Sequence, residues 1–152
     1  VYYHFSDKST LFTESLTAVF SRVRQHTLGI LMLDLPLRER LQHITLAVLS
    51  VSEAFATFET AMFEAVDDLS EDQLMAIRGS QHAIHLDVMQ FLSAAAQRGE
   101  IAKGDPKLRT YAYMALLSVG HFRGLDNKPH FPDRGLLAEG LVDLLFRGLD
   151  AR

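Results

Sequence analysis

The chain has 152 residues, 48% of them hydrophobic, which suits one compact core. Its net charge of -4 and pI of about 5.9 exclude a self-sufficient nucleic-acid-binding domain, which needs a basic face to neutralise phosphates. It has no cysteine, which excludes disulfides, thiolate metal sites and Cys nucleophiles; it also lacks both the roughly 18-residue apolar run of a membrane span and a signal-peptide N-terminus, so it reads as soluble, cytoplasmic and without a membrane partner.

Apolar residues recur at helical spacing from end to end, with no internal repeat and no alternating run, so the expected fold class is an all-α helical bundle. A first helix is predicted from Asp7, a good N-cap followed by Lys8, to about Leu31. Its apolar face holds Phe12, Leu16, Val19, Phe20, Val23, Thr27 and Ile30. Pro36 suits the first position of a second helix, whose stripe is Leu41, Ile44, Val48, Val51 and Phe55. A shorter third helix is expected to carry Phe58, Met62, Phe63 and Val66.

Ser70 and Gln73 form a capping box that opens a fourth helix, and Gly99 can close it in the left-handed conformation. That helix is apolar on two sides. Leu74, Ile77, Ile84, Val88, Phe91 and Leu92 make one side, and Met75, Leu86 and Met89 make the other, as expected of a strut sandwiched between neighbours. Asp105 and Pro106 begin a fifth helix, expected to reach about Leu125. It has an aromatic side of Tyr111 and Phe122 and a small-residue side of Ala112, Ala115 and Gly120. After the loop "DNKPHFPD", a sixth helix should run from about Arg134 to Asp150 with Leu137, Leu141, Leu144, Leu145 and Leu149 aligned.

The last two helices are apolar over more of their circumference than one layer of packing needs. Gly120, Gly124, Gly140 and Gly148 each cost a helix about 1 kcal/mol relative to Ala, which a close helix approach can offset. A homodimer interface through Ala112, Ala115, Val119, Gly120, Leu137, Leu141, Leu144, Leu145 and Gly148 is therefore expected; coverage within one chain is the alternative.

The opening stretch "VYYHFSDKSTLF" resembles the end of the helix-turn-helix in TetR-family transcriptional repressors, where aromatic-aromatic-His-aromatic, a turn and a lysine lead into the helix linking two domains. Tyr2, Tyr3, His4 and Phe5 match the helix end, Asp7 the capping position and Lys8 the lysine. Val1 stands where Leu is usual, and Thr10 where many members carry a capping-box Glu. "RGEI" and Asp105-Pro106 are weaker echoes of the family's second domain.

The resemblance implies a division into residues 1–6, a remnant of the DNA-binding domain, and residues 7–152, a TetR-type C-terminal ligand-binding and dimerisation domain. The first two helices and most of the recognition helix are then expected to precede Val1. By analogy Tyr2, His4 and Lys8 lie near the phosphate backbone of operator DNA, and Tyr3 packs inward or meets the groove edge.

A repressor of this type couples sites, its small effector preferring the conformation that no longer fits the operator. Phe55, Phe58, Met62, Phe63, Met75, Met89, Tyr113, Met114 and Phe122 are candidates for a pocket taking a largely apolar effector, or for plain core filling. His82 and His85, three apart, and His121 offer hydrogen bonds in such a pocket, or a metal pair lacking fixed-spacing carboxylate partners; partly exposed side chains are the alternative. No cofactor and no resident metal are expected. Without a nucleophile elbow, a phosphate loop or a zinc motif, neither is catalysis. The rival to the repressor is a helical small-molecule or lipid-binding or interaction domain with no DNA role.

Overall fold

In the computed structural model the backbone is described for residues 2–148, and side chains for 8–50, 60–61, 64–65 and 67–148. Among the described residues five α-helices carry the fold: α1 (Tyr2–Leu31), α2 (Leu37–Ala65), α3 (Glu71–Gln97), α4 (Pro106–Leu117) and α5 (Arg134–Arg147). Short 3-10 turns, Val66–Asp68 and Ser118–His121, follow α2 and α4. No strand occurs among the described residues, only an isolated bridge between Arg123 and Pro129.

Helix ends are where the expected and observed chains differ most. α1 begins at Tyr2 rather than near Asp7. Tyr2 to Phe5 contain no breaker, and an interior Asp costs only about 0.7 kcal/mol relative to Ala, too little to stop a helix that is buried further on. The expected second and third helices are one, because residues 37–65 contain neither Gly nor Pro. Pro36 lies just outside α2, its carbonyl accepting the Arg40 N–H at 3.1 Å.

α3 opens on the predicted capping box, with both the Ser70 and Gln73 bonds made. It closes with Gly99 at φ 76°, Glu100 N–H reaching Ala95 O and Gly99 N–H reaching Ala96 O, which satisfies two end carbonyls. Asp105 caps α4 through the Lys107 N–H, with Pro106 in the first turn. α4 stops at Leu117, short of Leu125: Ser118 turns its hydroxyl back onto the Ala115 carbonyl, and Gly120 and Gly124 weaken continuation. Asp133 caps α5, which ends at Gly148, φ 60°; Leu149 and Asp150 lie outside the described residues.

α3 packs against α1 on one side and α4 on the other, while α2 packs against α5 and α1. Leu16, Phe20, Leu69 and Ile77 form a core between α1 and α3. A second core joins Leu37 and Leu41 of α2, Val88, Leu92 and Ala95 of α3, Tyr113 and Leu117 of α4 and Val142 of α5. A third sets Leu49 of α2 against Leu137, Ala138 and Leu141 of α5. Thus α3 is a strut along its length, linking two cores. Its second expected side is largely uncovered: Met75 is 68% exposed, Leu86 is exposed and Met89 half-buried, because α1 and α4 occupy the other faces. Arg24 spans α1 and α3, its Nε 2.6 Å and Nη2 3.2 Å from the Asp87 carboxylate oxygens.

One polar pair is fully buried among the described residues. Thr45 and Tyr113 hydroxyls lie 2.7 Å apart, and Thr45 gives its only proton to the Leu41 carbonyl, so Tyr113 donates. Burial pushes the Tyr113 hydroxyl up from 10.0 to about 12. Between those values the unfolded chain has released this proton and the folded chain has kept it. Stability should therefore fall by about 1.4 kcal/mol per pH unit from pH 10.0 to about 12 through this group. Tyr113→Phe is expected to remove that slope and to cost about 1 kcal/mol at neutral pH, as read by urea unfolding of both proteins. An identical slope in the variant would assign the effect to other groups.

Candidate functional site

At the start of α1 a cavity of about 560 Å³ opens between α1, the end of α2 and the turn that follows. Leu11, Phe12, Ala65 and Leu69 make its mostly apolar wall, and Lys8, Ser9, Ser15 and Asp68 its polar edge. The helical period places Lys8, Leu11, Phe12 and Ser15 on one side of α1, and Leu69 is brought in by the capping box at Ser70. The Gln73 side-chain amide, a member of that box, also reaches Ser9 Oγ at 3.4 Å, tying α3 to the cavity edge. The volume lies in the range of small-molecule sites.

Sequence reasoning did not find this site. Phe12 was readable as core, but Leu11 and Leu69 become wall residues only because distant turns meet there.

Among the described residues, the predicted pocket residues do not come together around one cavity. Phe55, Phe58, Met62 and Phe63 have side chains outside the described residues. Tyr113 is core, bonded to Thr45, and Met114 packs beside it. Met75 and Phe122 are largely exposed, Phe122 because α4 ends before it. Met89 is half-buried on α3.

His82 and His85 do meet, with ring centroids 6.4 Å apart, and His85 packs edge-on against Tyr111 of α4 at 5.7 Å. Burial, then the neighbouring His82, lowers the His85 pKa below 6.5, so His85 is neutral at pH 7 and its share of stability is lost as pH falls. His121 is exposed on the turn after α4. Among the described residues no group of three or more His, Asp or Glu is placed to hold a metal ion. Nor is any helix among them long and apolar enough to cross a membrane.

Of the expected interface residues, Leu137 and Leu141 are buried within the chain against Leu49. Gly120 is buried too: a Cβ there would stand 2.7 Å from Leu49 Cδ2, so its close approach is intramolecular. Val119 packs on the same core, Leu145 is half-buried on the neighbouring one, Gly124 lies in the loop and Gly148 ends a helix. Ala112, Ala115 and Leu144 remain exposed, as do Leu108, Leu125, Phe131 and Leu136, and Gly140 faces open space.

The described backbone is similar to the crystal structure of a TetR family transcriptional regulator, PfmR, from Thermus thermophilus, with a TM-score of 0.77 and 20% sequence identity. The likeness covers 98% of this chain and 80% of that one. The fold is that of a TetR-family regulator. No protein-family model matches the chain, and no curated protein matches it significantly.

In the TetR-type fold the "YYHF" stretch heads the long α1. Tyr2, Tyr3 and His4 have side chains outside the described residues, and Lys8 is exposed, one turn further along at the cavity edge.

Proposed function

We propose that the protein is a ligand-responsive transcriptional regulator of TetR type that binds operator DNA as a homodimer and is released by a small, largely apolar effector. The observation that carries this reading is the coincidence of two independent signals. The "YYHF" stretch and Lys8 stand at the head of α1, in a chain whose backbone matches a TetR regulator over 98% of its length. In this reading residues 1–6 belong to the DNA-binding unit and residues 7–152 to the ligand and dimer unit, with α1 as a rigid joint.

The cavity beside Lys8 and Phe12 supports an effector role, because an occupant would bear on α1 within a turn or two of the DNA-facing residues. The exposed Leu136 and Leu144 of α5, with Ala112 and Ala115 of α4, support a dimer face.

Operator selection from a random duplex pool with the full gene product tests the DNA role. Enrichment of one discrete sequence, which the protein then protects in footprinting, is the expected result. Lys8→Ala should weaken binding about equally for all sequences and reduce the salt dependence by about one phosphate contact. Failure to enrich any sequence would favour the helical ligand-binding or interaction domain without a DNA role.

A further inference from the structure

At the opposite end of the bundle from Lys8, two cavities of about 370 and 270 Å³ meet at the side chain of Arg109. The larger is floored by Leu41, Leu92, Ile101, Leu145 and Phe146, drawn from α2, α3, α5 and the α3–α4 loop. The smaller runs along the end of α3 to Lys103. Leu92 and Arg109 line both, so the guanidinium stands between the two cavities.

Arg109 is held there by its surroundings. It lies flat on Gly104, where a Cβ would fall 2.5 Å from its Nη2, and its Nη1 donates to the Ala102 carbonyl. The other guanidinium donors have no carboxylate partner among the described residues. Glu100, the carboxylate on the larger cavity, is taken by Arg98, and Asp105 is spent capping α4. A half-buried guanidinium without a counter-ion, at the mouth of an apolar chamber and beside Lys103, is complementary to an anion carrying an apolar tail.

We propose that this end of the bundle binds an amphipathic monocarboxylate, its chain in the chamber of Leu41, Leu92, Ile101 and Leu145 and its carboxylate on Arg109. Binding here is separate from the cavity beside Lys8 and requires nothing of the DNA reading.

Calorimetric titration of the full chain with octanoate, 1-octanol and octylammonium, which share one tail, tests it. Octanoate should bind saturably at one site per chain, at least about tenfold more tightly than the alcohol, with the amine weakest. Arg109→Gln should bring octanoate and octanol to within about twofold of each other, and Arg109→Lys should restore part of the preference. Should Arg109→Gln fold poorly, the order of the three head groups on the unaltered protein still decides. Equal affinities for the three, no saturable octanoate binding, or a preference that survives Arg109→Gln in a folded protein would each overturn the proposal. The DNA role is read by a different assay, so failure of one leaves the other standing.

Discussion

Leu49→Ala should cost about 2–5 kcal/mol of unfolding free energy, with Gly120→Ala partly rescued in the same background. Leu49 is 1% exposed, wedged between Leu137, Ala138 and Leu141 of α5 and the turn carrying Gly120. Truncation removes three carbons and leaves a cavity lined by helices that are fixed by contacts elsewhere, so collapse is incomplete. Gly120→Ala alone places a methyl carbon 2.7 Å from Leu49 Cδ2 and 3.0 Å from Arg134 Nη1. Overpacking of that kind costs about 1–3 kcal/mol, and Arg134, whose Nη1 donates to the Gly120 carbonyl at 2.8 Å, leaves little room to yield. In the double variant the new methyl enters the space Leu49 vacated. Urea unfolding of the four proteins should show the double to be less destabilised than the sum of the singles by about 1 kcal/mol or more. Strict additivity would mean the two groups are not in contact.

The second large effect concerns association. If the last two helices form the proposed dimer face, Leu136→Asp with Leu144→Asp should turn a micromolar-concentration dimer into a monomer. Both leucines are exposed in the single chain, 66% and 41%, so the change leaves its core intact and its unfolding midpoint nearly unmoved after correction for association. Burying two carboxylates without partners in an apolar interface costs several kcal/mol, hence a loss of about a thousandfold or more in dimer affinity. Sedimentation equilibrium reads the outcome. A wild-type monomer would overturn the dimer, and a variant that still dimerises would place the contact elsewhere. Leu137→Asp would not serve, because Leu137 is buried against Leu49 and its loss would unfold the chain.

Helix ends governed by neighbours in the chain were legible from the sequence: Ser70 with Gln73, Gly99, and Asp105 with Pro106 all act as expected. The α1 stripe was legible as well, with Leu16, Phe20, Thr27 and Ile30 buried at its predicted spacing. On α5 the same reasoning aligned the leucines and passed over Ala138 and Val142, which are 2% and 0% exposed, while Leu144 faces out. Hydrophobicity marks what can be buried; the angle at which α2 lies on α5 selects which residues are.

The candidate sites were less legible for the same reason. Their walls come from segments far apart in the chain, as when Leu69 meets Phe12 or Arg109 settles on Gly104 and parts two cavities. By itself the sequence determined the all-α class, the helix boundaries at Ser70, Gly99 and Asp105 and the resemblance of the opening stretch, because caps, breakers and helical period act through near neighbours and their own backbone bonds. The tertiary structure alone decided which leucines remain exposed and where the cavities lie. Those outcomes depend on contacts between residues tens of positions apart, whose geometry no local spacing encodes.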